Sequence, residues 1–232
     1  MSPTLDCPSL ESLSLTCSLF GVHFLENLNG TCPNLKKIET HRARAQGGRA
    51  EGPHGPLRFF HENLEELSFL SLRYTPMHVI CPKLGKLVLS SVGSEEQEPI
   101  LEMDCPRVTT FQIFGYHIGA CLPSILLALP SLKFLYISNA QIEKREVVLE
   151  HYCVEDIVIA HSNMNKLRLV MPSLVRVSLV ESCVRDLQVL PRVVVTIETS
   201  FYGEKVRTVI LGEDMVTCCD LKTCSRSKSF EC

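Results

Sequence analysis

The chain has 232 residues, a formal net charge of −3, 45% hydrophobic and 21% charged residues. That is enough apolar material for one packed domain or a short solenoid, and the charge excludes a general attraction to nucleic acid or anionic membrane. No run reaches the roughly 18 apolar residues of a membrane helix, and Ser2-Pro3-Thr4 after Met1 predicts no secretory signal.

The first element is Cys7-Pro8-Ser9-Leu10-Glu11-Ser12-Leu13-Ser14-Leu15, a C-P-x-L-x-x-L-x-L phrase. It returns from Cys32 to Ile38, from Cys81 to Leu89 and from Cys105 to Ile113. With Leu or Met in place of Cys it returns from Leu129 to Ile137 and from Met171 to Leu179. Two copies without Pro are read at Asn63-Leu64-Glu65-Glu66-Leu67 and Cys153-Val154-Glu155-Asp156-Ile157. The first apolar positions of the eight copies are 10, 35, 64, 84, 108, 132, 154 and 174, in steps of 20 to 29 residues. That period marks a repeat whose units bury their leucines only by stacking.

Between the second and third copies, His41 to Pro56 holds Arg42, Arg44, Arg49, four glycines and two prolines. It has too little apolar content to offset its ordering entropy, so residues 41–58 are read as an inserted mobile basic loop. From Met77 a second component emerges. Met77-His78-Val79-Ile80, Ile100-Leu101-Glu102-Met103, Leu167-Arg168-Leu169 and Leu187-Gln188-Val189 each precede the next phrase. Their alternation predicts a second strand on the opposite side of each coil. Leu122 to Leu129 lacks that alternation and carries Pro123, which predicts a short helix. Val193–Ile197 and Val206–Leu211 are strand-like. The solenoid is expected over residues 1–212 and a disordered tail over 213–232.

The asparagine that commonly follows the last strand leucine is missing. Ser18, Ala43, Leu72, Val92, Tyr116, Ala140, Ser162 and Ser182 stand there, so irregular coils with uneven curvature are expected. Of the twelve cysteines, Cys7, Cys32, Cys81 and Cys105 share one repeat position that Leu129 and Met171 also fill. A residue interchangeable with Leu is a packed thiol rather than half of a disulfide, which points to a reducing compartment. The sequon Asn29-Gly30-Thr31 is read as chance.

The repeated phrase, with an apolar-x-apolar segment before it, resembles the leucine-rich-repeat region of F-box proteins, particularly the degenerate plant-type repeats. The resemblance spans Cys7 to Leu190. It implies an α/β, strand-rich solenoid: an irregular right-handed leucine-rich-repeat coil with a parallel sheet on its concave face. It implies protein recognition, with substrate presentation to a ubiquitin ligase as its familiar use. No F-box is recognisable here.

The outward strand positions are the candidate binding surface. Lys86, Gln112, Phe114, Phe134, Tyr136, Asp156 and Arg176 are the expected partner-binding residues: aromatic anchors with a charged rim. Catalytic motifs are absent, and no cofactor, metal or small-molecule substrate is expected. His151 and Cys153 could be imagined as a nucleophile pair, but no third group orients them. Cys218, Cys219, Cys224 and Cys232 lack zinc-site spacing. The expected function is a cytoplasmic or nuclear, non-enzymatic protein-binding scaffold. The alternatives are a nucleic-acid-associated protein using the Arg/Gly segment 42–58 and a repeat-type inhibitor of another enzyme.

Overall fold

The computed structural model describes residues 5–16, 19–41, 44–46, 57–70, 77–90, 101–115, 121–190, 193–198 and 207–211. The expected tail, its four cysteines and most of the basic segment 42–58 lie outside them. In chain order the elements are β1 (Ser12–Thr16), β2 (Leu19–Gly21), α1 (Val22–Thr31), β3 (Lys37–His41), β4 (Arg44–Gln46), β5 (Leu57–Phe60) and β6 (Glu66–Leu70). Then come β7 (Met77–Ile80), β8 (Lys86–Ser90), β9 (Leu101–Asp104), β10 (Thr110–Phe114), α2 (Leu122–Leu127) and β11 (Phe134–Ser138). The last are β12 (Gln141–Glu150), β13 (Asp156–Ala160), β14 (Asn163–Val170), β15 (Arg176–Val180), β16 (Cys183–Leu190), β17 (Val193–Glu198) and β18 (Arg207–Leu211).

These strands stack as a β-solenoid. The second half of each phrase forms one rung of a ten-stranded front sheet in the order β1-β3-β6-β8-β10-β11-β13-β15-β17-β18. Every front pairing is parallel except the last, where β18 runs antiparallel to β17. The apolar-x-apolar segments make the opposite side as three short parallel sheets, β2-β4, β5-β7-β9 and β12-β14-β16. Two faces with alternating side chains enclose one core, to which each rung contributes its inward pair. Leu87 and Leu89, Phe111 and Ile113, Leu135 and Ile137 are all fully buried.

The corner that leads into the front sheet explains why the phrase is so constant. The residue at the fourth position donates its N–H to the carbonyl of the first, as in Leu84 to Cys81 and Val108 to Cys105. The fifth and sixth residues then both donate to the fifth carbonyl of the preceding coil. Lys36 and Lys37 reach Glu11, Glu65 and Glu66 reach Lys36, and so on to Val175 and Arg176, which reach Glu155. This ladder crosses seven coil boundaries without a gap. Pro at the second position removes no donor that the ladder uses.

Two corners differ from the expected alignment. The first position of the Pro-less copies is held by His61 and His151, three residues before Leu64 and Val154, and not by a cysteine near Cys153. Both rings are buried. His61 Nε2 donates to the Cys32 carbonyl at 3.2 Å while Nδ1 accepts the Asn63 N–H at 3.3 Å. His151 repeats this with the Leu129 carbonyl at 2.9 Å and the Cys153 N–H at 3.1 Å. Each imidazole thus ties its coil to the one before it and closes its own turn. Cys153 itself is exposed.

The expected helix is α2, with Pro123 in its first turn. The helix α1 has no counterpart in the sequence expectations. Its buried Leu25 and Leu28 sit three apart on one face, which packs beside β5. The sequon asparagine Asn29 lies in α1, where its Oδ1 accepts the Glu62 N–H at 3.0 Å. The segment read as a mobile loop contains β4, paired in parallel with β2, and ends in β5, whose Phe59 is buried against Phe69 at a centroid distance of 5.8 Å. Backbone pairing and one buried aromatic anchor these stretches despite their polar neighbours.

The missing asparagine ladder is replaced near the C-terminal end by serine. Ser162 Oγ accepts the Ala140 N–H at 3.0 Å, and Ser182 Oγ accepts the Ser162 N–H at 3.1 Å. The residues just before, Asn139, His161 and Glu181, take φ of 57°, 49° and 48°. Each places one left-handed residue at a two-residue corner, which lets the chain reverse tightly.

Candidate functional site: the outward face of the front sheet

Strand alternation puts the sixth, eighth and tenth residues of each rung on the outward face, and the register aligns them in three rows across the sheet. The first row runs Ser12, Lys37, Glu66, Lys86, Thr110, Phe134, Asp156, Arg176. The second contains Glu39, Ser68, Val88, Gln112, Tyr136 and Val158, and the third Leu70, Ser90, Phe114 and Ser138. The seven expected partner-binding residues all lie in these rows, on strands β8, β10, β11, β13 and β15.

They do not form one patch. Phe114 and Tyr136 meet across neighbouring rungs with ring centroids 5.4 Å apart, tilted by 45°. Both are half-buried, as are Phe134 and Gln112, so the aromatics lie along the sheet and do not project from it. Arg176 and Asp156 pair with each other, Nε to Oδ1 at 2.9 Å, which consumes their charge within the fold. Lys86 is exposed and has no ion pair among the described residues.

A shallow groove of about 240 Å³ runs across β3, β6, β8 and β10. Val88 floors it at 8% exposure, and Phe114, Gln112, Leu70 and Ser68 border it. Lys37, Glu39, Glu66 and Lys86 supply its charges. Lys37 lies 3.8 Å from Glu66 and 3.9 Å from Glu39. The expected set therefore contributes Lys86, Gln112 and Phe114 to the groove, while Phe134, Tyr136, Asp156 and Arg176 lie outside its lining. Lys37, Glu39, Glu66, Leu70 and Val88 were not singled out. The outward register that selected the aromatics also finds them, once the rungs before Lys86 are given equal weight.

Among the described residues no three His, Cys, Asp or Glu side chains converge as a metal site. Both ring nitrogens of His151 are engaged in backbone hydrogen bonds, so it does not activate Cys153. The hydrogen bond to Cys105, then burial, pushes the Cys81 thiol far above its ordinary value, which leaves it protonated and inert as a nucleophile. Burial pulls His61 below 6.5, which holds the neutral tautomer that its two hydrogen bonds require. No helix among the described residues is long and apolar enough to cross a membrane. Comparison with family models, with curated proteins and with solved structures finds no match to this chain.

Proposed function

We propose that the chain is a non-enzymatic binding protein that holds a protein partner on the outward face of its front sheet. The groove over Val88, walled by Phe114 and set among mixed charges, carries this reading. It offers an apolar floor for an anchoring side chain and a polar rim to orient it, the usual division of labour in protein interfaces. Substrate presentation in the ubiquitin pathway is the particular role that the resemblance of the repeats suggests.

The test is Phe114→Glu with Tyr136→Glu, used as bait beside the wild type. Both residues lie on the outward face and outside the core between the two sides, so the variant should keep the circular-dichroism spectrum of the wild type and melt cooperatively, somewhat lower because the ring contact is lost. A protein captured by the wild type, lost with the variant, and then shown to bind the purified chain directly would support the reading. Identical capture by both baits would remove it.

A further inference from the structure

The charges at the groove are unevenly spent. Lys37 is shared between Glu39 and Glu66, at 3.9 and 3.8 Å. Lys86 is exposed and has no ion pair among the described residues. On its β6 side stands Glu66, already held by Lys37; on its β10 side stands Thr110, an uncharged hydroxyl in the same outward row. An ammonium beside a hydroxyl is a pair of donors suited to a carboxylate. Two residues further along β8, about 7 Å away, Val88 faces outward yet is only 8% exposed. Leu70 and Phe114 border the same hollow from the strands on either side, and Phe114 is braced by Tyr136 at 5.4 Å. An apolar hollow thus adjoins an unspent cation.

The shape restricts what can fill it. Its volume of about 240 Å³ is below the roughly 300–1,000 Å³ of pockets that enclose a small ligand. The strands that carry its walls, β6 and β10, are two rungs apart, about 10 Å between backbones, and Leu70 and Phe114 take up part of that width. An α-helix with its side chains needs about 10–12 Å and does not fit. Both edges of β8 are used, by β6 and by β10, so no chain can add to the sheet there as a further strand, and side chains must do the reading.

We propose that the groove takes an extended segment of a protein in which an acidic and an aliphatic residue stand two positions apart. This rests on the reading of the outward face as a protein-binding surface and adds the chemistry of what it binds. The aliphatic side chain covers Val88 between Leu70 and Phe114, and the carboxylate accepts from Lys86 Nζ and the Thr110 hydroxyl. Side chains two apart in an extended chain leave on the same side, about 7 Å from one another, which is the separation of Val88 from Lys86. Gln112, level with Val88 on β10, offers its amide to the backbone of the segment.

The experiment is a selection of short random linear peptides displayed on phage, panned against the full chain and against Lys86→Glu. The wild type should enrich acidic-x-aliphatic sequences in either direction, and Lys86→Glu should enrich basic-x-aliphatic ones. Lys86→Gln, which sets no like charge beside Glu66, should keep the aliphatic preference and lose the acidic one. Lys86 is exposed, so both variants should keep the circular-dichroism spectrum of the wild type. No enrichment on the wild type, a consensus without an acidic residue, a spacing of three or four positions, or one consensus shared by all three chains would each overturn the proposal. The broader reading is judged apart from it. A partner that binds the wild type, is lost with Phe114→Glu/Tyr136→Glu and is kept by Lys86→Glu would dismiss the acidic segment and leave the binding face standing.

Discussion

The buried imidazole of His61 gives the sharpest test of how the corners are held. His61→Leu replaces it with the residue that stands at the same position as Leu129, so the site admits the shape and little volume is lost. What is lost is two hydrogen bonds. The Cys32 carbonyl keeps the Leu35 N–H at 3.1 Å, so it is left short of one partner and not stripped. The Asn63 N–H loses its acceptor in a half-buried turn. At about 0.5–1.5 kcal/mol for each bond, the variant should be less stable by about 1–3 kcal/mol near neutral pH, read from urea unfolding. The pH dependence supplies the second arm. The folded pKa of His61 lies below 6.5 and the unfolded one near it. Its contribution is therefore complete above 6.5 and is lost as pH falls through the folded pKa. The stability gap between wild type and His61→Leu should be full at about pH 7.5 and smaller at about pH 5. Groups common to both proteins cancel in the difference. A gap that stays constant or widens in acid would refute the idea that burial holds this ring neutral. A variant as stable as the wild type near neutral pH would show that the two hydrogen bonds contribute nothing.

The inward register is tested by Leu135→Ala, which removes a fully buried side chain between coils and should cost about 2–5 kcal/mol in urea unfolding; a change below about 0.5 kcal/mol would contradict the assignment. The serine ladder is tested by Ser182→Ala. Its Oγ accepts the Ser162 N–H and donates toward the Ile159 and Val180 carbonyls, so the loss should be about 1–2 kcal/mol. Ser173→Ala, at an exposed corner position, should stay within about 0.5 kcal/mol, and equal losses at the two serines would dismiss the ladder.

The solenoid was legible because both of its periods are written in apolar side chains. Leucine at the fourth, seventh and ninth positions fixed the front rungs, and segments such as Leu167-Arg168-Leu169 fixed the back. The features that escaped are those carried by polar atoms or by single anchors. A His at the first position scores as a lost motif when Cys-Pro is sought, yet its two ring nitrogens close the same turn. Ser162 and Ser182 were counted as absent asparagines because residue type alone does not reveal that a hydroxyl reaches the next coil's N–H. The strand β4 lies between polar stretches, where composition argues for a loop and only pairing with β2 argues otherwise. On the outward face the sequence located the rows but not the groove. Its walls depend on which side chains lean together, as Phe114 does on Tyr136, and which charges are spent on each other, as with Asp156 and Arg176.

The two corners of the coil divide the work of folding and of variation. The corner entering the front sheet is five residues long in coil after coil, 61–65, 81–85, 105–109, 151–155 and 171–175, because its carbonyl ladder admits no insertion without breaking a coil boundary. The corner leaving the front sheet has no such constraint. In sequence, six residues separate β6 from β7 and ten separate β8 from β9, against two after each of β1, β3, β11, β13 and β15. The groove spans rungs with both spacings, two residues after β3 and longer separations after β6 and β8, and two-residue exits also follow the rungs where Asp156 and Arg176 pair. Lengthening an exit adds little closure entropy and leaves the register untouched. The sheet can thus keep one backbone while the surroundings of its outward face change from rung to rung, and that is the property a recognition surface needs.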